Sequence, residues 1–176
     1  MKHLYNEEQL IRQCIERKPA AQKELYTMYS AKMFGVCLRY MKNEADAKDL
    51  LHDGFIKVFD KLHLYHEGNL GAWMGRIFVN MALTQFRKNA RGPMFTELEW
   101  DIADEKVAEV TVDASTDINK VLAAMQQLPD NYRTVLNLYA IDKLSHQEIA
   151  DMLETTVSNT KSILSRARVK LKDLLK

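Results

Sequence analysis

Glycine and proline are scarce in this sequence, at 6 and 3 of 176 residues. Tight turns lean on these two residue types, so their scarcity argues against a sheet-rich chain with many hairpins. Cysteine is rarer still. Cys14 and Cys37 form no C-x-x-C pair, which points away from a disulfide framework and from a zinc site. No apolar run approaches the roughly 18 residues that read as a membrane span. The opening Met1-Lys2-His3-Leu4-Tyr5-Asn6-Glu7-Glu8 turns acidic too early for a secretory signal. The expected compartment is therefore the reducing cytoplasm, without membrane insertion. An excess of one charge sign is also missing, with 25 Lys/Arg against 24 Asp/Glu and a net charge of +1. The 47% apolar and 28% charged residues fit a globular chain rather than a disordered one. The length allows one domain or two small ones.

The near-neutral total hides a pattern. Residues 1–91 carry 15 Lys/Arg and 10 Asp/Glu, residues 92–118 carry 1 and 8, and residues 119–176 carry 9 and 6. Two mildly basic blocks thus flank an acidic strip that holds Glu97, Glu99, Asp101, Asp104, Glu105, Glu109, Asp113 and Asp117. The strip opens on the chain breaker Gly92-Pro93 and shows no sustained helical period before about Thr116. It reads as a flexible acidic linker over 92–115, with a solvated acidic helix as the alternative.

Both blocks read as helical, so the expected fold class is all-α with two helical domains, 1–91 and 116–176. In the first block, Asn6-Glu7-Glu8-Gln9 resembles a capping box, Pro19 suits a first helical turn, and Asn43 can cap a third helix. A fourth helix is expected over roughly Leu70–Arg91, with Trp73, Ile77, Val79, Ala82, Leu83 and Phe86 on its apolar side. The second block gives four shorter helices. Pro129-Asp130 starts the second, Ser145-His146-Gln147-Glu148 is a capping box for the third, and Thr156 can cap the last. A short helix, a three-residue turn and a longer basic helix describe a helix-turn-helix, with Ala150 small where the two helices would cross. From Thr156 onward, Lys161, Arg166, Arg168, Lys170, Lys172 and Lys176 face a single acid, Asp173. The second helix of such a pair enters the major groove.

A separate hint lies on the fourth helix, where Trp73, Arg76, Phe78, Asn80, Phe86, Arg87, Lys88 and Arg91 interleave aromatic and basic residues. Exposed aromatics stack on unpaired bases while cations hold phosphates. The competing reading makes Trp73 and Phe86 core, and Arg87 to Arg91 a basic helix end favoured by the dipole. Two other functions compete for these residues. A dimeric helix-turn-helix regulator needs a dimer surface and a sensory pocket, for which residues 1–91 give no signature. A metal-dependent hydrolase would draw on His52-Asp53, His63, His66 and Glu67, but no H-E-x-x-H or similar ligand spacing is present. No catalytic residue, metal, cofactor or small-molecule substrate is therefore expected.

The run Asp46-Ala47-Lys48-Asp49-Leu50-Leu51-His52-Asp53-Gly54-Phe55, followed by Trp73-Met74, Ile77, Asn80 and Arg87, resembles the first domain of bacterial sigma factors. Leu128-Pro129, Arg133, Leu136, Leu138, Glu148-Ile149-Ala150, Leu153, Lys161-Ser162 and Arg166-Ala167-Arg168 resemble their promoter-reading C-terminal domain. The likeness is to the small extracytoplasmic-function (ECF) group and covers nearly the whole chain in order. It implies three sets of contacts. Asp46, Asp49, Leu50, His52, Asp53, Phe55 and Ile56 would dock on core RNA polymerase, with the domain core as the other reading for Leu50 and Phe55. Tyr65, His66, Trp73, Arg76, Asn80, Arg87 and Lys88 would bind the minus-ten promoter element, with Tyr65 or His66 cradling a flipped base in the His63–Asn69 loop. Lys161, Ser162, Ser165 and Arg166 would face the minus-thirty-five element through the major groove. The acidic strip would lie in the polymerase channel that later carries RNA, and an anti-sigma factor is a further implied partner. Several positions depart from the family pattern. Lys48 and His52 stand where Glu and Gln are usual, and Thr84 stands for Asp. Glu154 stands for a turn Gly, which denies the turn an easy left-handed residue. Asn159-Thr160 replaces Thr-Val, and Ile163 replaces an Arg, which removes a phosphate contact.

Overall fold

The computed structural model describes residues 6–89 and 118–176, and the expected linker 92–115 lies outside them. Among the described residues every regular element is helical. The chain is all-α and forms two compact units, Met1–Thr84 and Gln85–Lys176.

In the first unit, helix α1 (Glu7–Ile15) starts on the expected capping box. The Gln9 N–H donates to Asn6 Oδ1 at 2.8 Å and the Asn6 N–H to Gln9 Oε1 at 3.4 Å. Helix α2 (Pro19–Tyr40) has Pro19 in its first turn, where the missing N–H leaves no bond unmade. Asn43 caps α3 (Glu44–Lys61), its side chain accepting from the Asp46 N–H at 2.8 Å. A single 3₁₀ turn, Leu62–Leu64, leads through a loop to α4 (Leu70–Asn89), whose division from the second unit falls in its last turns. Asn69 opens α4 by accepting from the Ala72 N–H at 2.9 Å.

The core of this unit joins Leu25, Met33 and Cys37 of α2, Ala47 and Val58 of α3, and Met74 and Phe78 of α4. Burial pushes the Cys37 thiol up to about 12 and the Cys14 thiol up to about 11, so both stay neutral packing groups. Phe78 meets Phe55 edge-on with ring centroids 5.7 Å apart. It lies directly against Gly54, where an added β-carbon would overlap its ring. Gly54 is therefore what lets α4 approach α3. Gly54→Ala should destabilise this unit by about 1–3 kcal/mol through overpacking, despite alanine's better helix propensity. Urea unfolding followed by the fluorescence of Trp73 on α4 checks this, and an unchanged midpoint refutes the close packing.

The second unit contains α5 (Ile118–Gln126), α6 (Asp130–Leu136), α7 (His146–Leu153) and α8 (Val157–Leu174). A π-turn, Asn137–Ile141, extends α6, with the Asp142 N–H reaching Asn137 O at 3.0 Å. Ser145 and Glu148 form the expected capping box of α7, and Thr156 caps α8 by accepting from the Asn159 N–H at 3.2 Å. Ala150 is buried, as the helix crossing requires. Glu154 occupies the left-handed cap of α7 at φ 54°, and the N–H groups of Glu154 and Thr155 both turn back to Ala150 O. The turn keeps its left-handed geometry without glycine, at the steric cost of a β-carbon there.

Candidate nucleic-acid interface

On α4 the buried positions are Leu70, Met74, Phe78, Val79, Ala82, Leu83 and Phe86. Phe78, read from the sequence as part of an aromatic and basic face, is a core residue instead, and Phe86 is buried as its place on the apolar side of the helix predicts. The core side is led by Met74 and Phe78, and Trp73 and Ile77 are only half-buried. What remains at the surface is an ordered row: half-buried Trp73, then exposed Arg76, Asn80, Arg87 and Lys88. Their spacing of three, four and seven residues keeps Trp73, Arg76, Asn80 and Arg87 on one face of the helix.

The loop before α4 is built around the same tryptophan. The Tyr65 ring meets Trp73 edge-on at 5.6 Å, and its hydroxyl donates to Gly68 O at 2.6 Å. Gly68 sits at φ +106°, a conformation that side chains rarely adopt. Tyr65 is thereby a shaping residue of this loop, while His66 is exposed at its rim. Two α2 residues that sequence reasoning passed over reach this corner. A β-carbon on Gly71 would lie 2.9 Å from Lys32 Nζ and 3.1 Å from the Tyr29 ring. The Tyr29 hydroxyl is held above its ordinary range by burial first, then by Glu7 and Tyr65.

On α3, Leu50 and Phe55 are buried in the unit's own core, so their side chains do not belong to a docking surface. The outward face keeps Asp49, His52, Asp53 and Ile56, the last 51% exposed. Asp46 is half-buried and tied into the helix start, accepting from Asn43 Nδ2 at 2.9 Å. Lys48 pairs with Glu44 at 2.7 Å one turn back, which offsets its charge locally and leaves the face acidic.

On α8, Lys161 is exposed, and Ser162, Ser165 and Arg166 are half-buried. Asn159, Thr160, Ile163, Leu164 and Ala167 face inward. Ile163 is 2% exposed, so the isoleucine side chain serves the core of this unit. Beside Lys161 lies a polar cluster. His146 Nδ1 is 3.1 Å from Thr160 Oγ1, and that hydroxyl donates to Val157 O at 2.8 Å, so the imidazole N–H is the donor between them. The His146 ring stacks on Tyr139 at 4.7 Å, and the Arg168 guanidinium lies over the Tyr139 ring at 5.5 Å.

His146 is held below its ordinary 6.5 by burial, then by Lys161 and Arg168. The folded imidazole therefore binds a proton less readily than the unfolded one. As the pH falls through 6.5, the unfolded chain gains a proton that the folded chain does not, and this unit should lose stability until the folded imidazole protonates too. Hydrogen exchange in α7 and α8 between pH 8 and pH 5 should show that loss (roughly the His titration range), and His146→Gln should flatten it.

The helix order and the capped α7–α8 turn define a helix-turn-helix protein with a second helical unit ahead of it. The family description Sigma-70 region 2 matches residues 25–92, and Sigma-70, region 4 matches residues 118–171. The chain is 29% identical over 158 residues to the ECF RNA polymerase sigma factor SigM of Bacillus subtilis, covering 86% of this chain and 93% of that one. It is 31% identical over 143 residues to the RNA polymerase sigma factor HrpL of Pseudomonas syringae pv. syringae, covering 75% and 74%. Among solved structures it resembles the sigma factor RpoE in complex with the anti-sigma factor NepR from Bartonella quintana. The TM-score is 0.55 at 23% identity, covering 87% of this chain and 95% of that one, a likeness of fold. The chain belongs to the sigma-70 family of RNA polymerase sigma factors, in its ECF group. It is thus a DNA-binding transcription initiation factor. No described helix is long and apolar enough to cross a membrane.

Proposed function

We propose that this chain binds core RNA polymerase through the outward face of α3, opens promoters with the exposed row of α4, and reads their upstream element with α8. It acts in the bacterial cytoplasm and catalyses no reaction itself. Asp49, His52, Asp53 and Ile56 form the docking face, with Leu50, Phe55 and the Asn43–Asp46 cap holding it in place. Tyr65, His66, Trp73, Arg76, Asn80, Arg87 and Lys88 bind the minus-ten element. Lys161, Ser162, Ser165 and Arg166 bind the minus-thirty-five element. The acidic stretch 92–115 tethers the two domains, and its charge suits a channel made for nucleic acid. An anti-sigma factor holds the chain inactive, a partner taken from the RpoE–NepR complex it resembles.

The observation that carries this reading is the division of labour on α4 and α8. On each helix the basic residues keep solvent exposure, in full or in part, while their apolar neighbours fill the core. Run-off transcription with purified core polymerase and genomic fragments tests it. Discrete promoter-dependent transcripts are expected only when the chain is added, and failure to bind core one-to-one overturns it.

Trp73→Ala should separate melting from recruitment. An aromatic platform is worth about 1–3 kcal/mol per stacked base. The variant should therefore form closed complexes normally but give about tenfold fewer unpaired thymines in permanganate footprints. Normal opening with lowered stability would show Trp73 to be packing alone.

A further inference from the structure

We propose that Tyr139 is a positioning residue for promoter reading, holding α8 in its DNA-facing orientation through ring contacts with His146 and Arg168. The proposal rests on the reading of α8 as the helix that contacts the upstream element.

Three features make this cluster a brace rather than general packing. It grips α8 at Thr160 and at Arg168, the residues that bracket the DNA-facing segment Lys161–Arg166. Its other end is fixed: Tyr139 projects from the π-turn, and His146 is the first residue of α7, set by the Ser145–Glu148 capping box. π-turns are rare insertions that re-aim the residues they carry, often at functional sites.

The third feature is the split between the two arginines. At about 100° per residue, Arg166 and Arg168 fall on opposite flanks of α8. Arg168 shares its flank with Lys161 and lies over Tyr139, so its guanidinium is engaged within the unit. Arg166 is left on the flank turned away from that cluster. The family-like pair Arg166 and Arg168 thus has two jobs, one cation offered to DNA and one committed to aiming the helix that offers it. The influence of Lys161 and Arg168 on His146 titration is a second sign that these groups crowd together.

The consequence is specific. Phosphate contacts tolerate small rotations of a helix, whereas contacts to base edges depend on bidentate geometry. Loosening the brace should therefore lower discrimination between sequences before it lowers overall affinity.

The test uses the full chain assembled with core polymerase. The templates are two fragments of one recovered promoter, one with its upstream element intact and one with it scrambled. The readout is the ratio of initiation rates. Tyr139→Leu, which changes no charge, should lower the ratio about threefold to tenfold, and Tyr139→Phe should stay within about twofold of wild type, because stacking and the cation contact need only the ring. Arg168→Gln, at a half-exposed position, should give the same loss of ratio with the scrambled fragment unaffected, and it decides the matter if Tyr139→Leu fails to fold. A wild-type ratio in Tyr139→Leu overturns the brace, as does an Arg168→Gln that weakens both fragments equally in the manner of a plain phosphate contact. If the wild-type chain does not distinguish the fragments, the reading of α8 itself falls and the proposal with it.

Discussion

Replacing Arg133 by alanine should destabilise the second unit by about 3 kcal/mol, the range seen when one partner of a buried ion pair is removed. Arg133 is 1% exposed, the most deeply buried cation among the described residues. Its Nη2 donates to Asp130 Oδ1 at 2.7 Å, and its Nη1 lies 3.3 Å from Gln126 O and 3.5 Å from Leu128 O. The guanidinium therefore closes the carbonyl end of α5 and at the same time neutralises the acid in the first turn of α6. Both positions favour it, since a helix C-terminus attracts a cation and an N-terminus attracts an anion. Burial works against its charge, and Asp130 offsets that penalty. Alanine would leave the Asp130 carboxylate and two carbonyls without this donor, and the cavity left by the guanidinium would be lined by them. Hydrogen exchange in residues 130–174 should speed up about a hundredfold, with residues 44–80 unchanged. Arg133→Lys should recover only part of the loss, because an ammonium cannot reach all three acceptors at once. Exchange within about threefold of wild type would show that the α5–α6 junction is held by its apolar contacts alone.

What was legible in the sequence was local. Asn6, Asn43, Ser145 and Thr156 all cap the helices they were expected to cap, because a cap is satisfied within three residues of itself. Pro19 and Pro129 mark helix starts for the same reason, since a fixed φ acts wherever it stands. The burial of Arg133 was not legible. Charge argues for the surface, and only the meeting of α5's end with α6's start supplies the acceptors that keep it inside. The π-turn was equally hidden, because it is a matter of one residue's extra winding with no residue type that demands it.

The candidate site shows the same divide. Helix α4 is apolar over most of its circumference, so its period alone could not say whether Trp73 and Ile77 or Met74 and Phe78 faced inward. The answer lies on α3, where the bare backbone of Gly54 leaves room for one ring, and the ring that fits is Phe78. Once Phe78 points in, the three- and four-residue spacing puts Arg76, Asn80 and Arg87 outside without further assumption. Leu50 and Phe55 were drawn into the docking set by resemblance, although apolar residues on a helix flanked by two others have a nearer use. Glu154 marks the opposite case. A left-handed position was expected to suffer without glycine, yet the two N–H groups returning to Ala150 hold the turn.

Lys161→Ala combined with Arg166→Ala should lower transcription from a promoter with an intact upstream element by about tenfold to a hundredfold, since one good side-chain contact to a base edge is worth about 1–3 kcal/mol. Folding should be unaffected within about 0.5 kcal/mol, because neither side chain belongs to the core that Ile163, Leu164 and Ala167 build on the other side of α8. The variant should keep its full affinity for core polymerase, which the proposed docking face of α3 would carry, and should lose less activity on a promoter whose upstream element is scrambled, where only the phosphate contact is missed. The salt dependence separates the two kinds of contact these cations can make. If both neutralise phosphates, the slope of binding against salt falls by about two and every sequence loses equally. If one of them reads a base, the slope falls by less and the loss concentrates on sequences bearing that base. The flanks of α8 predict which one: Lys161 shares its flank with Arg168, where a backbone phosphate would relieve the repulsion between the two cations, whereas Arg166 stands apart with a planar fork suited to a guanine edge. Arg166→Ala alone should therefore change sequence preference, and Lys161→Ala alone should change the salt slope. The reverse assignment would mean that α8 enters the groove turned about its axis from the orientation these contacts impose.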